Sequence, residues 1–486
     1  MTVSVSAAGE GFLYDRVSRH ILDLVEKGTL KPGDRAPSLR GLSRQLRVSI
    51  TTVNQAYAAL QQLGVLRVRP QSGYYVDAQV SHSQGSQVPR KTTVSRQPRK
   101  VRFGELFEEI FSVANDPQVV PLGAAVPAIE LMPVKGLLRA TQRAATRQPE
   151  RAMSYCFPPG DEELRHEIAR RYMDLGLSVD PASVVITSGC SEALALSLQT
   201  VTRRGDIVAV ESPTYFSVLR LIERMGLLAV EIDSDPETGL CLDALEAAIE
   251  TMEIKAVVAV LNFSNPLGSV MPDAGKRRLV AMLEQANIAL IEDDIYGDLH
   301  FGEQRPAIAK SFDQKGLVLT CSSFSKTIAP GYRIGWVIAD RYRDDLIEWK
   351  QATSSAMCSL PQIAMADYLR SGAYERHLVR LRSAYRSQVE KMRFMLARTL
   401  PAGTRITNPQ GGFVLWVELP RGIDALELVN RALQERISLT PGMMFSATRK
   451  FRNFVRINCG HPWDAQIEKA VERLGELVRQ MMAENG

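Results

Sequence analysis

The sequence predicts a small α+β head joined by a linker to a large α/β body, and three observations carry this expectation. Residues 11–77 hold three helix-period apolar stripes and then a turn between β-rich runs; residues 78–104 are polar and basic with no apolar period; and from about residue 105 to 486 short β-rich runs alternate with helical patterns. Such alternation wraps helices around a mostly parallel sheet. At 486 residues, more than one hydrophobic core is expected.

Composition excludes several classes. Hydrophobic residues at 45% and charged residues at 23% describe a soluble globular chain, not a disordered one. No run approaches the roughly 18 apolar residues of a membrane-spanning helix. Residues 1–10 lack the basic and apolar regions of a signal peptide. The six cysteines (Cys156, Cys190, Cys241, Cys321, Cys358 and Cys459) are scattered, with no Cys-x-x-Cys pair. That argues against a disulfide framework or a zinc or other metal site, and for a reducing cytoplasm. Charge is divided unevenly: the first 100 residues hold 15 Lys+Arg against 6 Asp+Glu, a net +9, and the remainder holds 44 against 48, a net −4. A basic head beside a mildly acidic body suits a polyanion partner for the head alone, although a merely solvated basic face has the same composition.

In the head, Leu13, Val17, Ile21, Leu24 and Val25 recur at helical spacing, and Gly28 is a natural stop. After the Pro32-Gly33 turn, Ser38 is placed to cap a second helix that buries Leu39, Leu42 and Leu46. Ser49 is placed to cap a third helix with Val53, Ala56, Tyr57, Leu60 and Leu63 inward and Gly64 at its end. Residues 65–69, a Pro70-Gln71-Ser72-Gly73 turn and residues 74–76 complete a hairpin. Three helices and a hairpin of this size make a winged helix-turn-helix. Its third helix would present Thr51, Thr52, Asn54 and Gln55 to base edges, and Arg40, Arg44, Arg67 and Arg69 would hold phosphates. The stretch LKPGDRAPSLRGLSRQLRVSITTVNQAYAALQQLGVLRVRPQSGYYV resembles the GntR-family DNA-binding domain along its whole length, from the PGD turn through VS-x-x-TV to the S-G-x-x-V wing. Two positions depart from that pattern: Ala36 stands for the usual leucine, and Ile50 for an arginine. The resemblance implies operator DNA as partner and adds Ser49 to the DNA-facing set.

The linker, 78–104, contains Ser81, Ser83, Gly85, Ser86, Pro89, Ser95 and Pro98 with Arg90, Lys91, Arg96, Arg99 and Lys100, and reads as exposed and flexible. In the body, strands are expected at 184–187, 207–210, 256–261, 288–291, 317–320 and 334–338.

Several positions at the ends of these runs suit an aldehyde cofactor. Lys326, after Ser323 and Ser325, could be a Schiff-base partner; Ser323, Ser325 and Arg333 could hold a phosphate. The turn at Ser188, Gly189 and Cys190 opens a helix, where backbone N–H groups favour a phosphate. Tyr215 could stack on a flat ring or simply fill a core. Asn265 could bond a phenolic oxygen, and Asp293 could keep a ring nitrogen protonated. Each signal alone is weak. Their order, Gly189, Tyr215, Asn265, Asp293, Tyr296, Lys326, Arg333, resembles the fold-type I pyridoxal-phosphate (PLP) aminotransferases over roughly residues 115–460.

That resemblance implies PLP as an aldimine on Lys326, Asp293 at the pyridine nitrogen, Asn265 and Tyr296 at the ring hydroxyl, and Ser188, Gly189, Cys190, Ser323 and Arg333 at the phosphate. Lys326, Asp293 and Tyr215 form its implied catalytic set. It also implies that Tyr155 reaches the phosphate of a partner subunit and that Arg456 forks a substrate α-carboxylate, hence a homodimer. Leu267 departs from the usual threonine. Within 105–486 it implies a large unit at about 150–345 and a small one at about 360–486 that includes 105–145. A GntR reader on such a body resembles the MocR branch of that family. This implies a cytoplasmic regulator that senses an amino compound or B6 vitamer at Lys326. An active aminotransferase with an accessory reader is the alternative, and a PLP-free interaction protein is a third reading.

Overall fold

A computed structural model describes residues 13–62, 64–69, 72–77, 87–91, 94, 96–101 and 116–485. The expectations for Leu63, Pro70, Gln71, Ser81, Ser83, Gly85, Ser86 and Ser95, and for residues 102–115, lie outside the described residues.

The head forms α1 (Leu13–Glu26), α2 (Leu39–Leu46), α3 (Ile50–Gln62), β1 (Leu66–Arg69) and β2 (Gly73–Val76). Ser38 Oγ accepts from Gly41 N at 3.0 Å and Ser49 Oγ from Thr52 N at 3.0 Å, so both N-caps are as expected. The apolar stripes converge in one core of Val17, Ile21, Leu42, Val53, Ala56, Tyr57, Leu60, Val65 and Val76. Tyr57 can be buried there because its hydroxyl donates to Pro37 O at 2.7 Å. Leu42 is fully enclosed, so truncating it to alanine should cost about 2–5 kcal/mol.

The body is built on an eight-stranded sheet of order β3-β10-β9-β8-β7-β4-β5-β6. Its strands are β3 (Val184–Thr187), β4 (Ile207–Ser212), β5 (Leu228–Asp235), β6 (Gly239–Leu240), β7 (Ile254–Ala259), β8 (Ala289–Asp293), β9 (Val318–Ser323) and β10 (Gly335–Ile338). Pairs β4·β5, β4·β7, β7·β8 and β8·β9 are parallel, whereas β10 runs antiparallel to both β3 and β9. The interior strands β8 and β9 are buried on both faces, which is why they read as continuous apolar runs. A second, antiparallel sheet has order β11-β12-β14-β13, formed by Arg405–Ile406, Val414–Glu418, Phe454–Asn458 and Thr440–Pro441 respectively. Its core takes in the long helix Ala373–Thr399 and the C-terminal helix Ala465–Asn485 through Leu381, Met392, Leu396, Val471 and Leu474. Residues 119–123 join this smaller unit, where Val120 N donates to Arg436 O at 2.8 Å. Helices Val134–Arg147 and Ser359–Arg370 pack instead with Val184, Ile186 and Trp336 on the large sheet.

Exposure of the linker is corrected by the structure. Its described part lies against both units of the body. Ile406 N donates to Gln87 O at 3.0 Å, and Arg90 N to Glu418 Oε2 at 3.1 Å, on the small sheet. Val94 N donates to Asp233 Oδ1 at 2.6 Å, and Arg99 exchanges two 2.9 Å backbone bonds with Ala229, on β5 of the large sheet. Val94 and Val101 are buried. The segment is polar in composition, but its backbone groups and two valines do the packing.

Candidate cofactor site and DNA-facing surface

The cofactor-site candidates gather at one edge of the large sheet, because chain direction places their turns there. Tyr215 follows β4, Asn265 follows β7, Asp293 ends β8, Lys326 follows β9, and Ser188–Gly189 join β3 to the helix Cys190–Val201. Ligands of open α/β sheets bind at the carboxyl ends of strands.

Asp293 is buried beneath this edge. Burial pushes its carboxyl up to about 6, although Cys190 Sγ donates to Oδ1 at 3.3 Å and Ile295 N at 3.2 Å. Lys326 Nζ donates to Ala125 O at 2.6 Å, and burial together with the nearby Arg456 cation holds its amine down at about 8. A lysine so lowered is a better nucleophile toward an aldehyde than a free one.

Gly189 has φ +86, and a Cβ there would fall against the Arg333 guanidinium. Arg333 Nη2 donates to Ser188 O at 2.8 Å, so the turn and the arginine are held together. Ser323 and Ser325 are both buried beside Lys326, with Ser325 N donating to Ser323 Oγ at 3.3 Å.

Arg456, on β14, is 1% exposed, and burial lowers its pKa to about 10, which leaves it a cation near neutral pH. Its amino groups donate to Asn265 Oδ1 at 3.2 Å, Gly123 O at 2.6 Å and Thr440 Oγ1 at 3.2 Å, while Nε has no partner. Phe216 and Phe445 rings lie 5.7 and 5.3 Å from it. Among the described residues no carboxylate pairs with this buried cation, an arrangement suited to an incoming anion. Tyr296 is buried against Phe413, and burial raises both its hydroxyl and that of Tyr215.

Two placements differ from expectation. The Cys190 side chain reaches Asp293, and Asn265 faces Arg456. Tyr155, expected to serve a partner subunit, is 82% exposed beside Phe157.

Some residues at the site gave no motif signal. Glu192 accepts from Ser188 N at 2.5 Å and pairs with buried Lys350 at 2.6 Å, which lowers its pKa although burial alone would raise it. Asp294, the neighbour of Asp293, pairs with Arg305 and accepts from Asn262 Nδ2 at 3.1 Å. Asp298 binds Arg171 at 2.9 Å and Arg305 at 2.8 Å, and these cations hold it well below the usual carboxylate range. Asp293 and Asp294 are adjacent in sequence, but only the fold shows that one acid faces the site and the other anchors the loop after β8.

On the head, Thr51, Asn54 and Gln55 are exposed on α3, as are Arg40, Arg44, Arg67 and Arg69. Thr52 and Ser49 hydroxyls lie 2.7 Å apart and serve the helix cap. Arg69 lies over the Tyr75 ring at 4.3 Å on the wing. Ile50, where an arginine is usual, is 48% exposed.

Residues 13–76 match the family described as bacterial regulatory proteins, gntR family, and residues 117–474 match aminotransferase class I and II. Two Escherichia coli proteins described as uncharacterized HTH-type transcriptional regulators, YjiR and YdcR, are 36% and 37% identical, each over 96% of this chain and 99% of its own length. Among solved structures, the multiple substrate aminotransferase of Thermococcus profundus superposes with TM-score 0.73 at 26% identity, covering 79% of this chain and 96% of that one. LysN, the alpha-aminoadipate aminotransferase of Thermus thermophilus solved with N-(5'-phosphopyridoxyl)-L-leucine, gives 0.72 at 27% identity, covering 79% and 97%. The family's cofactor is pyridoxal phosphate, and the buried carboxylate, the lowered lysine and the glycine that leaves room for Arg333 fit it. The chain therefore belongs to the aminotransferase class I and II family, in the MocR-type branch that carries a GntR-family reader at its N-terminus.

Proposed function

We propose that this protein is a cytoplasmic, homodimeric transcription regulator whose grip on operator DNA responds to an amino compound or B6 vitamer bound at Lys326. One observation carries the reading. A lysine amine held down at about 8, a buried acid and an unpaired buried arginine share one chain with a DNA reader. When bound, PLP supplies an aldehyde for which amines compete and a ring that draws electrons.

Lys326 Nζ would hold that aldehyde in the resting protein, and Asp293 would hold the proton of the ring nitrogen. Ser188, Gly189, Ser323, Ser325 and Arg333 would bind the phosphate, with Cys190 supporting Asp293. Asn265, Tyr296 and Tyr215 would line the ring. With an amine effector bound, Lys326 Nζ would be released as a free amine, and Arg456 would hold the effector's carboxylate where it has one. An effector acts only through unequal affinity for two states; moving 1:99 to 99:1 takes about 5.5 kcal/mol. The exposed Met153, Tyr155 and Phe157, with Ile129 and Leu138, support a dimer in which Tyr155 meets the partner's phosphate.

A titration of the holoprotein's visible spectrum with amino compounds tests this. A stable spectral change with no keto acid released, alongside altered affinity for the DNA upstream of its own gene, supports a sensor. Keto acid accumulating over many turnovers with DNA affinity unchanged would support the second reading, an active aminotransferase. Buried Arg456 with its unpartnered Nε favours that reading equally. Lys326→Ala should lose the covalent cofactor signal and the effector response together while the fold persists.

A further inference from the structure

We propose that the helix Ala373–Thr399 couples the cofactor site to the DNA reader, holding the residue after Lys326 at one end and seating the head at the other. At its N-terminal end Tyr374 OH accepts from the Thr327 hydroxyl at 2.9 Å, and His377 Nε2 lies 2.7 Å from Thr327 O. Burial lowers the pKa of His377, and because a carbonyl can only accept, its Nε2–H is the donor to Thr327 O. Both groups fix the turn at 324–327, which carries Lys326. Tyr374 OH also donates to Asp298 at 2.9 Å, which ties the same end to the loop that follows Asp293.

Near the other end, Phe394 packs against two cores at once, that of the small unit and that of the head. One turn further, the Arg398 guanidinium lies over Gly64, where a Cβ would stand 2.7 Å from Nη1. Gly64 closes α3, with φ +70 and its N–H on Gln61 O at 3.0 Å. A cation at that place favours the negative end of the α3 dipole. The helix thus touches the end of the element that presents Thr51, Asn54 and Gln55.

From His377 to Phe394 the helix rises about 26 Å at 1.5 Å per residue. It is continuous over its 27 residues, with Leu381, Tyr385, Val389 and Met392 buried along its length. A packed helix transmits displacement because cores are close-packed and resist compression. A change in what Lys326 Nζ holds alters the pull on Thr327, and the helix carries it to α3.

This rests on the regulator reading above, so the test separates the two. The full chain, with and without PLP, is followed by amide exchange in α3 and by affinity for DNA upstream of its own gene. Loading with PLP should change exchange in α3 of the unaltered protein. In Phe394→Ala/Arg398→Ala that change should shrink by about five-fold or more, the lower end of usual coupling, while the PLP spectrum is retained. His377→Gln, at the far end, should have the same effect on α3. Unaltered protein with no change in α3, or variants that keep it in full, would overturn the coupling. A changed α3 with DNA affinity indifferent to PLP and to amino compounds would leave the coupling standing and sink the regulator reading. If the alanine pair unfolds, Phe394→Leu and His377→Gln decide it.

Discussion

Cys190 Sγ lies 3.3 Å from Asp293 Oδ1, so a thiol at the start of a helix donates to the buried acid that ends β8. The carboxylate collects this bond and one from Ile295 N, yet burial still raises it to about 6. Desolvation outweighs two donors. Cys190→Ala should therefore weaken PLP binding by about tenfold at neutral pH, the usual worth of a hydrogen bond to a charged group. Cys190→Ser should restore it. Equal affinity in the alanine variant, read by spectrophotometric titration, would mean that the thiol plays no part.

Glu211 gives a pH signature. Buried at the end of β4, it is pushed up to about 8 by desolvation, and its Oε2 accepts from Val260 N at 2.8 Å. The folded chain holds a proton there that the unfolded chain releases near 4.5. Its contribution to stability is fully present below that value and is lost as pH rises through about 8. Glu211→Gln removes the titration, so its melting temperature relative to the unaltered protein should climb between pH 6 and pH 9. A difference that is flat with pH would refute the assignment.

Gly189→Ala should displace Arg333. The residue sits at φ +86 and its new methyl would meet the guanidinium. Backbone strain of about 1–3 kcal/mol is expected. PLP affinity should fall more than tenfold while secondary structure by circular dichroism stays the same. Unaltered affinity would place the phosphate elsewhere.

The head separates two kinds of contact. Arg40, Arg44, Arg67 and Arg69 are exposed, and each changed to alanine should lower the slope of log affinity against log salt by about 0.9 if it meets a phosphate. Asn54→Ala or Gln55→Ala should leave the slope alone and relax base preference, with about 1–3 kcal/mol lost on the preferred site. An arginine variant with an unchanged slope in fluorescence anisotropy titrations would remove that residue from the interface.

Phe157, 62% exposed next to Tyr155, offers a test of the dimer. Phe157→Asp should shift sedimentation toward monomer and reduce PLP retention, because Tyr155 would lose its place on the partner. A dimer that persists would move the interface to another face.

How much of this was legible in the sequence depended on what each residue's role requires. β3 spans 184–187 as read, and the caps Ser38 and Ser49 were identifiable because capping is local chemistry. β5 was missed. Its sequence LAVEIDSD carries acids that are nevertheless buried: Glu231 accepts from Ser212 Oγ at 3.1 Å and from Thr448 Oγ1 at 2.9 Å, and Asp233 takes Val94 N. Only partners distant in sequence make such acids strand residues. The site followed the same division. Motif order located Lys326, Asp293 and Arg456, but not Glu192 with Lys350, nor Tyr374 and His377, whose roles depend on elements more than 45 residues away.

The segment from 87 to 101 changes where the body begins. Among its described residues, Arg99 bridges antiparallel to Ala229 of β5, and Val101 lies in the apolar core with Val208, Val210 and Ala229. Excising the reader just ahead of residue 116 would strip that cover, baring the N–H and C=O of Ala229 at a sheet position where another copy could pair. A cut ahead of residue 87 would keep the seam closed. Solubility of the isolated aminotransferase-like half should thus hinge on fifteen residues whose composition looks expendable.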